Sequence, residues 1–132
     1  MVLEKGSKYE IEAALDKTGS PEAIRYLENL ADEARISVAS AQNTLADLAL
    51  QLQDFADGKP QDIPRQVNDL RDGIQEIKVG KLRLPFYLRE DASCGHVRLT
   101  HGFWKRGNDT PNREIDKAKA IRRTDMERDE PV

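Results

Sequence analysis

Apolar positions along the chain fall into three regimes. From Lys8 to Leu15, Tyr9, Ile11, Ala13 and Leu15 alternate with polar neighbours, the period-2 pattern of a strand with one buried face. From Ile24 to Phe55 the period becomes helical. Ile24, Leu27, Leu30 and Ala31 share one helical face. Ala34, Val38, Ala41, Leu45, Leu48, Leu52 and Phe55 then recur at spacings of 4 and 3, an a/d heptad seam. From Gly73 onward alternation returns in residues 73–79, 82–88 and 96–103, and a stripe of Ile115, Ala118 and Ile121 predicts a closing helix.

The breaks between these segments are also legible. Residues 1–7 read as a loose arm. Ser20-Pro21 and Thr110-Pro111 each join a capping hydroxyl to a proline suited to the first helical position. Asp57-Gly58 stops the long helix, residues 57–65 form a linker with two prolines, and Gly80-Lys81 makes a tight turn. Pro85 has no N–H to give a ladder and marks an edge or a bulge. The predicted order is β-αα-βββ-α. That is one α+β domain over residues 8–124, with a mainly antiparallel sheet packed on a helical hairpin and an acidic tail at 125–132. The heptad seam fits an internal hairpin or a coiled coil with a second copy, and its leading alanines suit close packing within the chain.

Charge divides the chain where the pattern does. The net charge is −3, but residues 1–70 carry −6, residues 71–123 carry +6 and the tail 124–132 carries −3. An electropositive half attracts phosphate, unless the two halves neutralise each other across the fold. A single cysteine, Cys94, allows no internal disulfide and fits a reducing cytoplasm. The start lacks the apolar stretch of an export signal, and no apolar run approaches a bilayer span, so a cytoplasmic protein without a membrane partner is expected. Cys94, His96 and His101 lack the spacing of a metal site, and no metal or other cofactor is expected. No nucleophile elbow, phosphate loop or paired-carboxylate site is visible.

Two motifs in combination point to a family. His101-Gly102-Phe103-Trp104-Lys105-Arg106 is followed by Thr110-Pro111-Asn112-Arg113-Glu114-Ile115, after Gly73-Ile74-Gln75-Glu76-Ile77-Lys78 and an Arg83 that precedes Phe86-Tyr87. Over Asp72 to Ile121 this resembles the phage-associated HigB branch of the RelE/ParE toxins of type II toxin–antitoxin modules. The resemblance implies a RelE-like fold and metal-independent cleavage of mRNA, in many members on the ribosome. It also implies neutralisation by a helix-turn-helix antitoxin, with toxin homodimers or toxin–antitoxin heterotetramers as assemblies. It sets Lys78, Arg83, Lys105 and Arg106 on the substrate-facing surface.

Cleaving RNA without a metal needs a group to take the 2′-OH proton, cations for the phosphate and an acid for the leaving oxygen. Arg83 and Arg106 are the candidate phosphate clamps. His101 has an unperturbed pKa suited to proton transfer near neutrality, with Lys78 or Lys105 as alternatives. His101 also shares strand parity with Val97, Leu99 and Phe103, which fits a core histidine equally. Tyr87 or Trp104 are candidates to stack a base, and Arg98, Arg113 and Lys117 to bind the RNA backbone. Two other functions stay open: a ParE-like inhibitor that binds DNA gyrase without catalysis, and a decayed toxin that retains only antitoxin contact.

Overall fold

Across the residues that the computed structural model describes (2–35, 39–90, 95–107 and 109–129), the alternating segments form one seven-stranded sheet. The elements are β1 (Val2–Lys5), β2 (Tyr9–Ala13), α1 (Glu22–Arg35), α2 (Ala39–Ala56), β3 (Val67–Arg71), β4 (Ile74–Val79), β5 (Leu82–Glu90), β6 (Gly95–Leu99), β7 (Phe103–Trp104) and α3 (Asn112–Asp129). The sheet runs β1-β2-β6-β5-β4-β3, with β7 pairing β5 beyond the end of β6. Only β2 and β6 are parallel among these pairs, and the expected α+β fold with a mainly antiparallel sheet stands.

The period-2 pattern sorts the strands onto two faces. Ile11, Ala13, Ile77, Val79, Leu82, Leu84, Phe86, Val97 and Leu99 point into one core, where Leu48, Leu52 and Phe55 of α2 and Leu30 of α1 meet them. The heptad seam thus closes within the chain. Its boundary lies elsewhere than expected, because Ala34 belongs to α1, and Val38 falls outside the described residues. The opposite face is not bare. Ala14, Ile74 and Tyr87 pack there with Ala118 and Ile121 of α3, so helices cover both faces of the sheet rather than one.

Four expectations change. The arm at 1–7 contains β1, hydrogen-bonded along β2. A strand within 67–71 was not anticipated. Asp72 (φ 54°) and Gly73 (φ 80°) form a two-residue turn that folds β3 onto β4, and Asp-Gly between strands is a strong hairpin signal because both positions need φ > 0. Pro85 lies in the central strand β5, yet keeps its rule. Its carbonyl accepts the Thr100 N–H at 2.9 Å, so its N-side faces the gap between β6 and β7, where no ladder bond is required. The acidic tail is the last turn and a half of α3 as far as Asp129, and Asp125 within it is only 3% exposed.

Both helix starts also shift by one residue. Pro21 and Pro111 accept the first intrahelical N–H bonds, from Arg25 and Ile115, so each proline sits at the cap itself. The hydroxyls freed from capping serve elsewhere. Ser20 Oγ accepts from Arg25 Nη1, and Thr110 Oγ1 turns to the sheet. No helix among the described residues is long and apolar enough to cross a membrane.

Candidate functional site

Where α3 begins, it stands off the β3–β4–β5 end of the sheet and leaves a cleft of about 790 Å³. Strand register brings its cations together. Lys78 pairs with Arg83 across β4 and β5, and Arg83 pairs with Phe103 across β5 and β7. The chain then leaves β7 through Lys105, whose N–H donates to the Lys81 carbonyl at 2.7 Å, and this turns Lys105 and Arg106 along the cleft mouth. Trp104 and Arg113 complete the set of sequence candidates that line it.

Arg83 forms part of the floor and is 7% exposed. Its Nη1 donates to the carbonyls of Gly80 (2.8 Å) and Leu82 (3.0 Å), which fixes the guanidinium against the β4–β5 turn. Burial lowers its pKa and Glu76 opposes that shift, so the group stays cationic near neutrality. Glu76, 1% exposed, is the carboxylate of the floor. Thr110 Oγ1 lies 2.9 and 2.8 Å from its two oxygens and donates one hydrogen between them, pinning the start of α3 to β4.

Four candidates lie elsewhere. His101 is 2% exposed and stacked on Phe103, with ring centroids 5.9 Å apart. Thr100 Oγ1 donates to the Pro85 carbonyl, so His101 Nδ1–H donates to Thr100 Oγ1 and Nε2 becomes the buried acceptor, without a hydrogen-bond partner. Glu114 Oε2, 3.5 Å from Nε2, would favour an imidazolium, but desolvation outweighs it and, with Lys117, holds the pKa near about 3. His101 is therefore a neutral core histidine and not a proton-transfer group near pH 7.

Tyr87 and Arg98 sit under the far half of α3. The Tyr87 hydroxyl donates to Asp125, whose Oδ2 also accepts from Arg98 Nη1 at 2.9 Å, while Arg98 Nε lies 2.7 Å from Glu12 Oε2. Burial, with Asp125, raises the Tyr87 pKa far above its usual range. Tyr87, 3% exposed, cannot stack on a base. Lys117 is exposed on α3 and pairs with Glu22 at 3.1 Å, outside the cleft.

Sequence patterns missed Tyr26, Glu76, Thr110 and Glu114 as cleft residues. Tyr26 arrives from α1, and a Cβ on Gly102 would come within 2.6 Å of its ring, so only glycine admits it at that place. An isolated glycine between strand residues was the available signal for that close approach. Away from the cleft, Glu10, Glu12 and His96 bring three potential metal-ligating atoms within 4.8 Å of one another on β2 and β6. Lys5 and Arg98 already balance the two carboxylates. Cys94 lies outside the described residues.

No curated protein matches the chain. The family described as Phage derived protein Gp49-like (DUF891) matches residues 25–123, from α1 through most of α3 and including every cleft residue named above. The chain belongs to this phage-derived, toxin-like family, which falls within the RelE/HigB-like toxin group.

Proposed function

We propose that the protein is the toxin of a type II toxin–antitoxin module, and that its cleft cleaves mRNA without a metal, on or off the ribosome. The observation that carries this is the convergence of Lys78, Arg83, Lys105, Arg106 and Arg113 from two strands, a strand exit and a helix start into one cleft. A phosphorane transition state is dianionic, and fixed cations in a partly desolvated cleft stabilise it more than they stabilise the ground state. Arg83, already held by two carbonyls, and the exposed Arg106 grip the phosphate oxygens. Lys78 or Lys105 serves in proton transfer. Glu76 is the carboxylate beside them and joins them as a candidate base. A helix-turn-helix antitoxin neutralises the toxin by covering this rim.

The test is induced expression in a bacterial host with mapping of mRNA 5′ ends, comparing the wild type with Arg106→Ala and with Arg83→Ala/Arg106→Ala. The expected result is new 5′ ends and growth arrest in the wild type, a reduction of cleavage by about 10²-fold in Arg106→Ala, and none detectable in the double variant. Arrest with intact mRNA would replace cleavage with a gyrase-type target. One observation favours a second reading. Asp69, Glu76, Asp109 and Glu114 also line the cleft, so its surface is mixed in charge, as a protein-binding module would have it.

A further inference from the structure

The cleft does not end at its aromatic wall. Tyr26, Trp104 and Arg106 line it on one side and on the other line a second cavity of about 480 Å³ above α1 and the start of α2. Leu30 and Ala41 form the floor of this cavity, and Asn29 and Glu33 stand on its rim. The floor residues are 5% and 1% exposed and belong to the main core, so the base of the cavity is apolar and fixed. The rim residues are exposed. We propose that the second cavity is a nucleobase subsite, which takes one unstacked base of single-stranded RNA while the neighbouring phosphate rests on the cations of the main cleft.

A nucleobase has two apolar faces and a hydrogen-bonding edge, and the cavity offers a counterpart to each. Tyr26 and Trp104 are aromatic walls, and single-stranded RNA is held by stacking of this kind. Gly102 seats the Tyr26 ring against the backbone, so that wall is positioned before any ligand arrives. Burial, then Glu33 and Glu114, raises the Tyr26 pKa, and the hydroxyl remains a donor near neutrality. Arg106, shared by the two cavities, supplies charge where the RNA backbone must pass between them.

The rim sets the specificity. A glutamate accepts two parallel hydrogen bonds and donates none, whereas an asparagine does both. Guanine presents two adjacent N–H donors on its Watson–Crick edge, which match the Glu33 carboxylate. Uracil presents one N–H between two carbonyl oxygens, which face that carboxylate unfavourably. The subsite therefore prefers guanine and rejects uracil.

This inference rests on the main cleft being an RNA site, and one experiment separates the two. Trp104 is the sole tryptophan, so its fluorescence reports on the wall between the cavities. The full chain is titrated with 2′-O-methyl tetranucleotides that differ in a single base. Binding that favours guanine over uracil by about tenfold, the discrimination of one bidentate pair, is expected. Glu33→Ala, at an exposed position, should abolish that preference by weakening the guanine oligonucleotide about tenfold, with binding of the uracil oligonucleotide unchanged within about twofold. Binding without base preference, or a preference that survives both Glu33→Ala and Asn29→Ala, overturns the subsite and leaves the RNA cleft standing. Failure of every oligonucleotide to bind overturns both.

Discussion

His101 shows how far burial can move one residue from the role its chemistry suggests. Its folded pKa, about 3, lies below the ordinary histidine value of 6.5. Protonation therefore favours the unfolded chain, and stability falls as pH drops below 6.5 towards 3. Between pH 7 and pH 5 this group alone removes about 2 kcal/mol of folding free energy. Urea denaturation at the two pH values checks this, beside His101→Gln, which should flatten the difference. The depressed carboxylates Asp16, Asp57 and Asp72 do not confuse the comparison, because their contributions are lost only at lower pH, as it falls through their folded pKa values. A histidine resonance that titrates near 6.5 and disappears in His101→Gln would contradict the buried, neutral assignment.

At the scale of the element, α3 is held at both ends by groups that local pattern does not assign to it. Thr110 ties its start to Glu76 on β4, and Asp125 ties its far half to the Leu15 N–H at 3.0 Å, to Tyr87 and to Arg98. Residues 125–129 therefore do not behave as a dispensable tail. Their deletion leaves Tyr87 and Arg98 without their shared carboxylate and should cost about 3 kcal/mol, the scale for breaking a buried charged network. Chemical denaturation of the chain ending at Thr124 measures it, and unchanged stability would mean that the network contributes nothing. The same logic explains the cleft. Its width is set by where α3 is pinned, and its cations by the register of β4, β5 and β7.

For the whole molecule, opposite charges meet across the fold. Glu12 and Glu22, from the acidic first half, pair with Arg98 and Lys117 from the basic second half. Part of the +6 of residues 71–123 is thus neutralised internally, and the cleft keeps Arg83, Lys105 and Arg106 for phosphate. Three phosphate contacts to a single strand give a slope of about −2 in the logarithm of affinity against the logarithm of salt concentration. Affinity for a short single-stranded RNA should therefore fall by about twentyfold between 50 and 200 mM salt. Fluorescence titration over that range tests it. A slope near zero would remove phosphate contact from the account.

The sequence by itself determined the helical hairpin, four of the strands, the closing helix and the family resemblance. These follow from local periodicity, turn residues and motif spacing, which operate over a few residues at a time. It also brought Lys78, Arg83, Trp104, Lys105, Arg106 and Arg113 forward as candidates for one surface. Only the tertiary structure decided the rest, because burial and pairing are properties of segments distant in the chain. Strand parity had already left His101 between core and site, and packing under Phe103 with α3 above it resolved the question for the core. Tyr87 and Arg98 had side chains suited to RNA but found Asp125, 38 and 27 residues onward. Tyr26 lay in no motif, and Glu76 stood in one without a role assigned to it; both entered the cleft because the sheet register, Gly102 and the docking of α3 brought distant backbone together.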